Sequence, residues 1–241
     1  MAEKPILMNN FSTKAILSGR KTMTRRLVKF GKHTGEHYIV DQERFENALK
    51  HGVFMFSCDC IECRRDNTHM ACLKAPYQVG DRLWVKESYR VDEKYNHLKP
   101  SELYGNFVVR YESDKERLKF TYEISDLADW VKLSTDFSPG RLRPSIFMPK
   151  KIARIWLEVT EVRAERLQDI TEQDAKAEGV WWDGDYWRGG IHPIKKTLQC
   201  WNTAREAFKA LWNSIHGKDA WETNPWVWVY GFKRLERVRC K

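Results

Sequence analysis

The run PWVWVYGFKRL, residues 225–235, alternates Trp226, Trp228, Tyr230 and Phe232 with Val227 and Val229, the period of a β-strand. A second run repeats the pattern: Ala153, Ile155, Leu157 and Val159 share one face, and Trp156, Glu158, Thr160 and Val162 the other. These two long strands commit the chain to a sheet framework. RLWVKESYR adds a half-buried strand after the Gly80-Asp81 turn, and NFVVRYE with LKFTYEI resembles a hairpin around the polar Ser113 to Arg117. Helical signals are fewer. Ser12 to Ser18 reads as a short helix with Ser12 as N-cap and Gly19 as stop. Thr171 to Glu178 carries a capping-box variant, Thr171 with Asp174, and ends at Gly179. Leu198 to His216 shows a 3.6-residue stripe of Trp201, Ala204, Phe208, Leu211, Trp212 and Ile215. Ser138 to Pro149 reads as a loop, and the whole as a β-rich α+β fold.

At 241 residues the chain suits a single domain, with residues 29–75, where periodicity weakens, read as an insertion that is partly helical near Asp41 to His51. No apolar run approaches the ~18 residues of a membrane span. The opening MAEKPILMNNF lacks the apolar core of a signal peptide, so a cytoplasmic protein without a membrane partner is expected. The formal net charge is +9, and residues 1–40 hold eight Lys or Arg against Glu3 and Glu36, a local +6. Such an excess attracts phosphate. Eleven Trp supply flat faces on which nucleobases stack, although most must be core.

The densest chemistry lies in GRKTMTRR, Gly19 to Arg26, with one amine, two hydroxyls and three guanidinium groups. Burial and neighbouring cations (Arg20, Arg25, Arg26) lower a lysine's pKa and make Lys21 a candidate general base. Thr24 becomes nucleophilic once a base takes its proton. In an ideal strand their three-residue spacing puts them on opposite faces, so they converge only through a turn or bulge near Gly19. An exposed basic strand without chemistry is the alternative at this point.

GRKTMTRR after a short helix resembles the signature of the ASCH domain, a member of the PUA-like superfamily. VGDRLWV, LQDITEQDAKAEGV and PWVWVYGFKRL are similar to that family's turn-plus-strand, helix and closing strand, in the same order. The longer form, with RLWVKES and SIFMPKKIARIWLEVTEVRAERLQDIT, is similar to ASCH proteins of bacteriophages and prophages. The resemblance implies a PUA-like β-barrel with flanking helices and an inserted Cys-rich segment. Family members that hydrolyse N4-acetylcytidine imply amide hydrolysis on a modified cytidine, with Lys21 as base, Thr24 as nucleophile and Glu178 of AKAEG as proton donor. The C-terminal end of the Glu178 helix adds a physical reason, because the helix dipole there favours the protonated acid. A non-catalytic binder of RNA, DNA or a modified base and a ribonuclease are the alternatives, and the expected partner is a nucleoside, nucleotide or nucleic acid. Arg20, Arg25, Arg26 and Trp182 are the candidate nucleic-acid or phosphate contacts, with Trp84, Trp181 and Trp187 as further stacking faces.

Cys58, Cys60, Cys63 and Cys72 fall within fifteen residues and are candidate ligands of a structural zinc. Their C-x-C-x2-C-x8-C spacing is not the usual paired knuckle. Cys200 and Cys240 read as isolated and structural, and no organic cofactor is expected. Glu87 reads as an edge-strand charge, with a place in the cleft as the alternative.

Overall fold

The computed structural model describes residues 1–30, 37–39, 53–58, 70–103, 107–120, 137–189 and 200–236. In chain order its elements are β1 (Glu3–Leu7), α1 (Asn10–Leu17), β2 (Met23–Leu27), β3 (His37–Ile39), β4 (Val53–Cys58), β5 (Met70–Lys74), β6 (Arg82–Lys86) and β7 (Tyr89–Val91). These are followed by β8 (Phe107–Tyr111), β9 (Arg117–Phe120), β10 (Trp156–Arg166), α2 (Glu172–Ala177), β11 (Trp181–Trp182), β12 (Trp187–Arg188), α3 (Ala204–His216) and β13 (Trp226–Leu235). The fold is α+β, mostly strands with three α-helices among the described residues, and no sheet closes on itself there. No described helix is long and apolar enough to cross a membrane.

Two compact units interleave along the chain. The first comprises Met1–Ala2, Arg20–Asp81 and Glu158–Lys233; the second comprises Glu3–Gly19, Arg82–Leu157 and Arg234–Lys241. In the first unit β13 lies between β10 and β2. Its ladder with β2 is antiparallel, from Val227 opposite Leu27 to Gly231 opposite Met23. The alternation of aromatic residues with valines puts apolar side chains on both faces of β13, and Val227 through Phe232 are all buried. One reason is the stretch read as an insertion, whose β3, β4 and β5 form a small antiparallel sheet. Phe54 and Phe56 of β4 pack on Trp228 and Trp226, with ring centroids 5.0 and 5.4 Å apart. Aromatic burial of this kind gives a weakly periodic segment a core to fold against. Asp41 to His51, expected to be helical, lies outside the described residues.

Helix α3 begins at Ala204 rather than Leu198 because Thr203 caps it. The Thr203 hydroxyl accepts from Glu206 N–H at 3.1 Å, and the Glu206 carboxylate accepts from Thr203 N–H at 3.2 Å. Trp201 is left outside the helix and pairs through its backbone with Trp187. The α3 backbone comes so close to the end of β12 that a Cβ on Gly189 would stand 1.8 Å from the Ala207 carbonyl oxygen. Only glycine fits there. Helix α2 packs against α3 and takes Thr171 as its N-cap. Asp174 completes only half of the expected capping box, since its carboxylate is drawn away to arginines.

The second unit holds β1, a strand the sequence reading missed, paired in parallel with β6 from Glu3 opposite Arg82 to Leu7 opposite Lys86. Helix α1 starts two residues before the expected Ser12, capped by Asn9, whose side chain accepts from Ser12 N–H at 2.8 Å. The predicted hairpin is present as β8 and β9, with β7 alongside. Tyr89, Val91, Phe107, Val109, Tyr111, Met148 and Ile152 form this unit's core. Glu87 is neither an edge charge nor a cleft residue. It is fully buried and holds Arg154 through two 2.8 Å hydrogen bonds, with Ser113 donating to it at 2.9 Å. A carboxylate in that position needs such a partner, because an unpaired buried charge is costly.

Candidate functional site

The site is built where GRKTMTRR meets the end of α2. A six-residue helix leaves its last carbonyls unsatisfied, and the residues preceding β2 supply donors in order. Arg20 Nη1 donates to Gly179 O at 3.5 Å, Lys21 Nζ to Glu178 O at 2.8 Å, and Thr22 N–H to Ala177 O at 2.9 Å. Gly179 turns the chain with φ of +100°, a conformation that suits glycine. Cations at a helix C-terminus are also favoured by its dipole. The helix end thus captures Lys21 through backbone chemistry, and Glu178 then finds the amine beside it.

Lys21 Nζ donates to Glu178 Oε2 at 2.5 Å, with both side chains almost fully buried. Arg25 Nη1 reaches the other carboxylate oxygen at 3.2 Å. Arg25 is wholly buried and spends its donors on Glu178, Met23 Sδ, Glu165 (two hydrogen bonds) and Asp174. Those five contacts match the five N–H groups of a guanidinium. Arg163 joins the same network, bonding Asp174 and, through Nε at 2.9 Å, Glu165. Three cations (Lys21, Arg25, Arg163) therefore meet three buried or half-buried carboxylates (Glu165, Asp174, Glu178) and the more exposed Glu161.

Burial pushes the pKa of Lys21 down from its ordinary value of 10.5, against the attraction of Glu178. The positive charges of Arg26 and Arg25 push it the same way. Burial also lowers Arg26, which feels Tyr77, Glu178 and Tyr230, and it raises Tyr77 and Tyr230. Burial opposes the charge of Arg163, but Glu165, Glu161 and Asp174 outweigh it and hold that guanidinium above its ordinary value.

The structure thus brings together Lys21, Glu178 and Arg25. Thr24 is buried in β2 with Tyr230 as its register partner, and both hydrogen bonds of the Lys21 amine go to Glu178 rather than to Thr24. An ammonium has three donors, so one stays available. Arg25 serves the carboxylates, not a phosphate. Arg20 lies over the Trp181 ring at 4.8 Å. Trp182 is half exposed, edge-on to Trp187 at 5.7 Å. The sequence reading missed Glu165, Arg163 and the side-chain role of Asp174. Their signal, charges alternating along β10 and a first-turn acid in α2, is one that any solvated surface also carries.

Of the cysteines, Cys58 ends β4 and Cys72 lies in β5, while Cys60, Cys63 and Cys240 lie outside the described residues. Cys72 pairs with Met55 in the ladder, three steps from Cys58. Among the described residues no group of three or more His, Cys, Asp or Glu is disposed to hold a metal. Atomic emission of the purified protein tests a structural zinc on the four cysteines: about one equivalent is the expected result if they hold it, and less than about 0.2 equivalents would remove the idea. Cys200 is an exposed thiol and is not isolated, since it accepts from Arg188. Compared with known proteins, the chain matches no family model, no curated protein and no solved structure.

Proposed function

We propose that this chain is an ASCH-type, PUA-like protein that hydrolyses the N4-acyl amide of a modified cytidine nucleoside or nucleotide. The observation that carries the reading is the buried 2.5 Å pair of Lys21 and Glu178, residues far apart in sequence. The order of a short helix, the GRKT segment, the turn-plus-strand, the α2 helix and the closing strand supports the family assignment.

The pair also suits the chemistry. One proton moving from Lys21 Nζ to Glu178 Oε2 creates a neutral amine and a carboxylic acid together. Lys21 then takes the Thr24 hydroxyl proton as Thr24 Oγ1 bonds to the acyl carbon. The C–N4 bond breaks, Glu178 gives its proton to N4, and free cytidine departs. The ion pair is restored in the protonation state of the structure, with Thr24 acylated. Water then attacks the ester, releasing the carboxylic acid and returning the proton to Thr24.

Incubation of the protein with N4-acetylcytidine should yield cytidine and acetate, followed by chromatography at intervals. Absence of turnover on this and related N4-acyl cytidines would remove the hydrolase reading. A non-catalytic nucleic-acid or modified-base binder is the second reading, favoured by the half-exposed Trp182 and by Arg20 stacked on Trp181. Salt-sensitive oligonucleotide binding without turnover would select it, and RNA cleavage that survives Lys21→Ala would select a ribonuclease.

A further inference from the structure

Among its described residues the second unit contains a buried cation with no paired anion. Arg143 is only 3% exposed, and neither its Nε nor its Nη1 has a hydrogen-bond partner. Its one side-chain hydrogen bond runs from Nη2 to the Tyr95 carbonyl oxygen at 2.8 Å. The neighbouring Tyr89 hydroxyl, also buried, lies close enough to interact with it, although outside strict hydrogen-bond geometry. Apart from that hydroxyl, the Nε and Nη1 groups meet no polar partner among the described residues, and no carboxylate there balances the charge. The other buried arginines, Arg25 and Arg154, are surrounded by carboxylates. Arg143 is therefore the exception among the buried arginines described.

The residue is held stiffly. Its backbone forms two hydrogen bonds with Tyr89, Arg143 N–H to Tyr89 O at 2.8 Å and Tyr89 N–H to Arg143 O at 3.1 Å. Just before it, Gly140 N–H bonds Val91 O at 2.9 Å, and Arg141 N–H bonds the Asn96 side chain at 2.9 Å. A guanidinium fixed in this way loses little freedom when it meets an anion. It lines a cleft of about 350 Å³ with Pro100, Arg141, Leu142, Pro144 and Phe147. That volume is at the low end of the ~300–1,000 Å³ of small-molecule sites, room for one nucleotide. The lining has two arginines and no acid. Its apolar part is a proline pair with Leu142 and Phe147, which are 49% and 60% exposed.

We propose that this cleft binds a nucleotide unit of single-stranded nucleic acid, its phosphate on Arg143 and Arg141 and its base on Phe147. Two cations suit a phosphate better than a single carboxylate. An exposed aromatic ring beside them is the stacking face such ligands use, and the +9 net charge favours a polyanion. The proposal shares no residue with the Lys21 pair and does not depend on its chemistry.

Fluorescence anisotropy of a labelled oligouridylate on the full chain tests it, with uridine monophosphate, inorganic phosphate and oligoglutamate as competitors. The expected result is binding that Arg143→Gln and Phe147→Ala each weaken about tenfold or more, with uridine monophosphate competing better than phosphate. Arg143→Gln should also melt no lower than the wild type, since it removes an uncompensated buried charge; a merely structural arginine would do the opposite. Phe147 is exposed, so its variant decides the matter even if Arg143→Gln fails to fold. No binding by the wild type, equal binding by Phe147→Ala, or better competition by oligoglutamate would overturn the proposal.

Discussion

Arg25→Met is expected to lower the free energy of unfolding by about 3–5 kcal/mol, as typically follows when one partner is removed from a buried ion cluster. The side chain has no exposure, and its donors serve Glu165, Asp174 and Glu178 at once. Taking them away leaves the carboxylates desolvated with one cation fewer. Arg163 remains for Glu165 and Asp174, and Lys21 for Glu178, so the cluster is weakened rather than emptied. Arg163→Met is the comparison: that side chain keeps 30% exposure, and water can take over part of its work. Urea unfolding of both variants measures the difference. A loss of less than about 1 kcal/mol for Arg25→Met, or equal losses for the two, would mean that the cluster is not the keystone drawn above.

The second large effect concerns turnover. Lys21→Met should reduce N4-acetylcytidine hydrolysis by about 10²–10⁴-fold, the usual contribution of a positioned general base. Glu178 keeps Arg25 at 3.2 Å, so the fold should survive the substitution. Lys21→Arg should be nearly as inactive, because arginine keeps the charge but cannot give up its proton. The pH profile supplies an independent readout. The active form carries one proton on the Lys21–Glu178 pair, which Glu178 hands to N4, so the rate should fall as rising pH strips that proton, with a midpoint below the ordinary lysine value of 10.5. That midpoint belongs to the Lys21–Glu178 pair, not to either residue alone. A full rate for Lys21→Arg, or a profile flat across the alkaline range, would exclude Lys21 as the base.

Much of this was legible from residue order. Alternation located β10, β13 and the β8–β9 hairpin, and cap chemistry located both ends of α2. Strand β1 was missed because EKPIL carries too few apolar residues to show a period; its place comes from pairing with β6. The start of α3 was set too early because Trp201 fits the helical stripe while Thr203, two residues on, ends it with a cap. Lys21 and Glu178 were singled out through a resemblance, yet what joins them is the docking of residues 20–22 on the carbonyls of α2. No local pattern encodes a contact of that kind. Arg25 looked like a phosphate ligand because charge alone does not say which arginine will be buried. Glu87 failed for the same reason, as its partner Arg154 is 67 residues away.

The two sides of the Lys21–Glu178 bond are separated by 157 residues, and this fixes when the centre can exist. Closing so long a loop carries an entropic cost that no local interaction repays, and a helix as short as α2 has little stability of its own. The centre should therefore assemble late in folding, after β10 and β13 have paired, and come apart early when α2 lifts away. A nascent chain ending before residue 165 would display the basic GRKTMTRR segment without the carboxylates Glu165, Asp174 and Glu178, an open cation cluster that the finished protein keeps covered.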